Sequence, residues 1–172
     1  MRRLSVLVIA IAIVGLIFAC SQKPADEMAP VTVNAADVFK MMSDGMSTYV
    51  LFPGSTELTP GKSPHGAFVT ILVNDVAMKS IEARKAVFDD GSLIVKKNYG
   101  PDKAFAAYTI MYKAAGYYPD GGDWYWAKYD EAGVSDLEGE AVKAMFAEKG
   151  EGCIACHAQV KGMDWVFTPI PK

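Results

Sequence analysis

Apolar and polar positions along this chain switch between helical and strand spacing. Asn34 stands before Val38, Met41 and Met42, Asp37 follows it by three residues, and Gly45 ends the stripe. An amide cap followed by apolar residues at helical spacing predicts a short helix. Thr48 to Phe52 is apolar, β-rich and stopped by Pro53-Gly54, which predicts a strand. Ser55 to Pro64 is polar and rich in Pro and Gly, and reads as a loop. Ala67 to Val73 is a second predicted strand. A cap at Asn74 or Asp75 opens a helix predicted to reach about Phe88, with Ala77, Ile81, Arg84 and Phe88 on one side. Asp89-Asp90-Gly91 is a turn, and Ser92 to Tyr99 is a strand broken by Gly100-Pro101-Asp102. Phe105 to Lys113 and Asp123 to Tyr129 are two further strands around a Gly- and Asp-rich connection. Leu137, Val142, Met145 and Phe146 predict a helix over Asp136 to Glu148. About five strands with three or four helices imply an α+β domain with a mostly antiparallel sheet.

The N-terminus belongs to a different class of segment. Arg2 and Arg3 precede an apolar run from Leu4 to Ala19, broken only by Ser5 and Gly15. The run is short beside the roughly 20 residues of a membrane span and reads as an export signal. It ends Ile17-Phe18-Ala19-Cys20, a lipobox-like close that predicts cleavage before a lipid-bearing Cys20. An ordinary signal peptide with a free Cys20, or a retained anchor helix, are the other readings. Residues 1–19 are thus assigned to a lipoprotein signal, 20–33 to a lipidated tether, and 34–172 to one folded domain. Ser21 after the cysteine is compatible with retention at the outer membrane, facing the periplasm.

Charge narrows the partners. The formal net charge is −3, and loss of Arg2 and Arg3 with the signal makes it −5. A mildly acidic surface argues against a nucleic-acid partner and offers no basic patch for anionic lipid.

The chemistry concentrates in Cys153-Ile154-Ala155-Cys156-His157. In a C-x-x-C-H pentad two thiols can add to porphyrin vinyl groups, and the adjacent imidazole can bind the iron. With three cysteines in the chain, one goes to lipid and two to a single covalent haem c. Haem attachment of this kind occurs outside the cytoplasm, so signal and pentad name one compartment. His157 as metal ligand outweighs a zinc site, because His65 is the only other histidine.

Gly91-Ser92-Leu93-Ile94-Val95-Lys96, Tyr108 to Lys113, Gly122-Asp123-Trp124 and the Asp164-Trp165-Val166-Phe167 tail, taken with the pentad, resemble the cytochrome P-460 family and its cytochrome c′-β relatives. The likeness spans about residues 35 to 168. It implies an antiparallel sheet packed on one haem c, His157 as proximal ligand, and an open sixth position for nitric oxide or hydroxylamine. It also implies paired subunits. Founding members oxidise hydroxylamine and link a lysine to the porphyrin, and the family motif places that lysine at Lys96. Strand alternation alone points the other way: Lys97 shares its face with Leu93, Val95 and Tyr99, the more apolar set. Both lysines could also be edge guards. The hydroxylamine-oxidising members carry a distal carboxylate in the strand that here reads Tyr108 to Lys113, where this chain has Thr109, Ile110 and Met111. Asp120 or Asp123 are the nearest substitutes in sequence.

The expected function is therefore an exported mono-haem protein binding small nitrogenous ligands at five-coordinate iron, whose enzymatic versions are hydroxylamine oxidation or nitric-oxide detoxification. The redox partner is not legible. The alternative is an electron-transfer cytochrome whose iron is closed by His65 or a methionine, and a haem-free scaffold lipoprotein is a third reading.

Overall fold

The computed structural model describes residues 31–133 and 149–167. The predicted signal with Cys20, the tether up to residue 30 and the predicted helix over Asp136 to Glu148 lie outside the described residues.

Helix α1 spans Ala35–Gly45, and the Asn34 side chain caps it by accepting from the backbone N–H groups of Ala36 and Asp37. A 3₁₀ turn, Met46–Thr48, follows it. Six strands come next in the chain, interrupted by one helix: β1 (Val50–Leu51), β2 (Thr59–Pro60), β3 (Phe68–Val73), α2 (Asp75–Glu82), β4 (Leu93–Tyr99), β5 (Phe105–Lys113) and β6 (Trp124–Tyr129). Helix α3 (Glu151–His157) and a 3₁₀ segment (Ala158–Met163) close the described chain. The strands form one antiparallel sheet in the order β1-β3-β4-β5-β6, with β2 also paired to β3. The α+β class and the antiparallel sheet expected from the sequence are present.

Both faces of this sheet are covered. On one, Val38 and Met42 of α1 pack against Leu93, Val95, Ile110, Tyr125, Ala127 and Tyr129. Burying each of those two helix side chains stabilises the fold by about 1.5–3 kcal/mol. The opposite face carries Val73, Ile94, Met111, Trp124 and Trp126, against Ala77 and Ile81 of α2 and Cys153 and Ile154 of α3. Odd and even residues of each strand therefore serve two different cores.

Three predictions change by more than one residue, each for a local reason. The first strand begins at Val50 because the 3₁₀ turn consumes Met46–Thr48. The predicted loop Ser55 to Pro64 contains the two-residue strand β2, whose proline sits at a sheet edge that needs no ladder donor from it. Helix α2 stops at Glu82 rather than near Phe88, because Arg84 takes a left-handed φ of 52°. Phe88 still reaches the core, from a loop, and its N–H donates to Asp164 Oδ2 at 2.8 Å. Asn74 is the cap: Oδ1 accepts from Ala77 N–H and Leu93 N–H while its amide donates to Gly91 O. One side chain thereby joins the start of α2 to the start of β4.

Candidate functional site

Between the second sheet face, α3 and the β2–β3 connection lies a cavity of about 680 Å³. That is within the range of roughly 300–1,000 Å³ found for small-molecule and cofactor sites. Its wall combines apolar side chains with Lys96, Thr109, His65, both pentad cysteines and His157.

Helix α3 runs through the pentad, with Ile154 N–H donating to Gly150 O at 2.9 Å. Positions 153, 156 and 157 stand three and four residues apart, so a helix puts the two thiols and the imidazole on one face. Cys153 is half-buried and Cys156 exposed. Burial pushes the Cys153 thiol up to about 11, against the opposing pull of Lys96.

His157 is 5% exposed. Its Nδ1 donates to the Trp165 carbonyl at 2.6 Å. A carbonyl only accepts, so this bond puts the ring proton on Nδ1 and leaves the Nε2 lone pair free. Burial drives the ring down to about 4; the Trp165 bond opposes the fall and Lys96 adds to it. The imidazole is neutral at neutral pH, as a metal ligand must be. Trp126 and Phe167 flank it, with ring centres 4.6 and 4.9 Å from its own.

The carbonyl that orients His157 is itself held in place. Asp164 and Trp165 both adopt left-handed backbone, φ 52° and 66°. The Asp164 carboxylate takes Lys113 Nζ at 2.7 and 2.8 Å as well as the Phe88 N–H. Lys113 also donates to Gly122 O, and Trp124 Nε1 donates to Asp164 O at 2.9 Å. This buried ion pair fastens the segment after α3 to β5 and β6. The tail motif is visible in sequence; the role of Lys113 is not.

Lys96 lies on the cavity side of β4, in register with Ile71 and Thr109. Burial lowers its amine below the ordinary range, opposed by Cys156 and then Cys153. Among the described residues it has no hydrogen-bond or ion-pair partner. Lys97 pairs with Thr70 and Tyr108 and is absent from the cavity wall.

His65 enters the cavity from the β2–β3 connection. Gly66 explains how: at φ 92° its missing Cβ would stand 2.6 Å from Tyr99 O, so only glycine lets the loop seat against the end of β4. The His65 ring places Nδ1 3.1 Å from Thr109 Oγ1, and Asn98 stands beside that hydroxyl. Burial first, then Lys96, His157 and Lys128, lowers the ring to about 3. The His65 and His157 ring centres are 6.3 Å apart with planes at 89°. Met111 is the one methionine in the cavity wall among the described residues. No Asp or Glu of the described residues lines it; Asp123 instead accepts from Tyr118 N–H, and Asp120 is exposed.

An apolar cavity floored by a C-x-x-C-H helix, with a neutral, carbonyl-oriented imidazole facing into it, defines a haem-binding protein. The chain belongs to the cytochrome P460 family, whose family model, Cytochrome P460, matches residues 52–168. A search of curated proteins finds no match. The residues present fit the group the family implies: two thiols and a free Nε2 share one helix face beside a cavity of adequate size.

Proposed function

We propose that this is an exported haem c protein that binds small nitrogenous ligands, nitric oxide or hydroxylamine, at the haem iron. The observation that carries the reading is the His157 Nδ1–Trp165 O bond, which frees Nε2 beside Cys153 and Cys156. Haem, when bound, supplies a redox-active iron with an axial position for ligand. The chain's own residues do the rest. Cys153 and Cys156 would hold the haem, each through a thioether made by adding its S–H across a porphyrin vinyl group. His157 would ligate through Nε2, Trp165 O fixes its tautomer, and Trp126 and Phe167 restrict its rotation. Cys20 tethers the domain to the membrane through lipid, on the periplasmic side, and two copies associate as the resemblance implies.

Ligand binding is favoured over sustained hydroxylamine oxidation. Turnover needs a proton acceptor within hydrogen-bond reach. The carboxylate of the oxidising relatives has no counterpart in the described cavity wall. The expected result is a shifted absorption spectrum with nitric oxide and no catalytic consumption of hydroxylamine. Steady turnover under excess electron acceptor would contradict the reading.

Lys96 is the side chain placed for a lysine–porphyrin contact or link. Lys96→Ala is expected to shift the visible spectrum of the holoprotein, and Lys97→Ala to leave it as in the wild type. Tryptic mapping locates any lysine joined to the Cys153–Cys156 peptide. A link at Lys97, or equal spectral effects of the two variants, would overturn the assignment.

A further inference from the structure

The cavity holds two imidazoles, and the function proposed above uses one. His65 and His157 come from segments 92 residues apart, yet their side chains are arranged alike. Each commits Nδ1 to an anchor: Trp165 O for His157, Thr109 Oγ1 for His65. Asn98 lies 3.3 and 3.4 Å from Thr109 Oγ1, so its carbonyl can take the hydroxyl proton and leave Oγ1 to accept from His65 Nδ1. With the Nδ1-protonated tautomer of His65, Nε2 is free on both rings. A second imidazole held by a partner at its far nitrogen is how proteins prepare a histidine to bind metal.

The spacing supports the same conclusion. The ring centres are 6.3 Å apart, and no hydrogen bond joins the two rings. Two imidazoles bonded to one metal from opposite sides, at about 2 Å per metal–nitrogen bond, keep their ring centres about 6 Å apart. Perpendicular planes are compatible with that arrangement, since two imidazoles on one metal need not be coplanar and each plane here is set by its own Nδ1 anchor. A histidine that merely hydrogen-bonds a bound diatomic must stand further off. The loop carrying His65 is also fixed: Gly66 seats on Tyr99, whose carbonyl accepts Ala67 N–H at 2.9 Å. Rigid elements and a braced ring are what a metal ligand needs.

We propose that His65 is the second axial ligand of the haem iron, and that small ligands bind only by displacing it. The inference rests on the haem reading above and adds a gate to it. It departs from the open sixth position that the family resemblance implies. Displacement would exchange His65 Nε2 for the incoming ligand at the iron, with no bond to carbon changed. If the displaced state is populated about one part in a hundred, apparent affinity for an exogenous ligand falls about 100-fold.

The test uses holoprotein from a c-type maturation host, with carbon monoxide as probe. Wild-type protein is expected to be low-spin in both oxidation states, with carbon monoxide binding at a rate that saturates as the gas concentration rises. His65→Gly is expected to be high-spin and to bind carbon monoxide at least about tenfold more tightly. Added imidazole should return that variant to low spin, which separates lost ligation from misfolding. Thr109→Val keeps His65 but removes its anchor, and should weaken the closed state without abolishing it. A high-spin wild type, or a low-spin wild type unchanged by His65→Gly, would overturn the proposal. Protein without covalent haem would instead sink the reading it rests on.

Discussion

Asp164→Ala is expected to destabilise the protein by about 3–5 kcal/mol, the cost typical of breaking a buried ion pair from one side. Lys113 and Asp164 are each 6% exposed, so the ammonium keeps only the Gly122 carbonyl and loses its counter-charge where little water reaches it. The same change removes the acceptor of the Phe88 N–H, a second buried group left without its partner. Against a total stability of about 5–15 kcal/mol, that loss is a large fraction. Urea titration reads it as a lowered midpoint at unchanged slope. The site should suffer with the fold, because Asp164 precedes the carbonyl that orients His157. Asp164→Asn, which keeps an acceptor for Phe88 but removes the charge, should fall between wild type and Asp164→Ala. A midpoint within experimental error of wild type for Asp164→Ala would show that the ion pair does not hold the segment after α3.

Cys153→Ala combined with Cys156→Ala is the second large effect. Neither thiol has another covalent use, since both are free in the described fold. With both removed, acid-acetone is expected to extract all pigment, whereas each single variant retains haem through one remaining thioether. Far-ultraviolet circular dichroism should change little, because Cys153 only borders its core cluster and Cys156 is exposed. His157→Ala separates attachment from ligation: haem stays on the chain while the axial-ligand signature disappears. Pigment that resists extraction from the double variant would mean that another side chain, Lys96 foremost, carries the covalent bond.

Much of the fold was legible because the strands carry strong local signals. Phe105 to Lys113 was delimited to the residue, and Asn34 and Asn74 announced their helices through cap chemistry. Alternation failed where a rule about faces was stretched too far. It points Lys97 inward, since Leu93 and Val95 make that face the more apolar one. In a sheet covered on both sides neither face is solvent. The more apolar face meets α1, and the other, carrying Ile94 and Lys96, lines the cavity. Only the family motif placed Lys96 there.

The pentad exposed half of the site. Its spacing gave two attachment thiols and one ligand but not the helix that aligns them, for seven residues that follow Gly150 and include Gly152 carry little helical periodicity. His65 was legible only as an alternative ligand, and Lys113 not at all, for a different reason. A turn histidine and a strand lysine look solvated until the loop closes on Tyr99 or Asp164 arrives from 51 residues away. Their roles arise from long-range closure, which no short window of sequence encodes.

The central claim is a covalent haem c seated on α3 with His157 at the iron. Intact-mass measurement of denatured protein from a c-type maturation host tests it most directly. The account predicts the polypeptide plus one haem, with the added mass mapping to the peptide holding Cys153 and Cys156. A mass equal to the bare polypeptide, from cells that mature other c-type proteins, would contradict it.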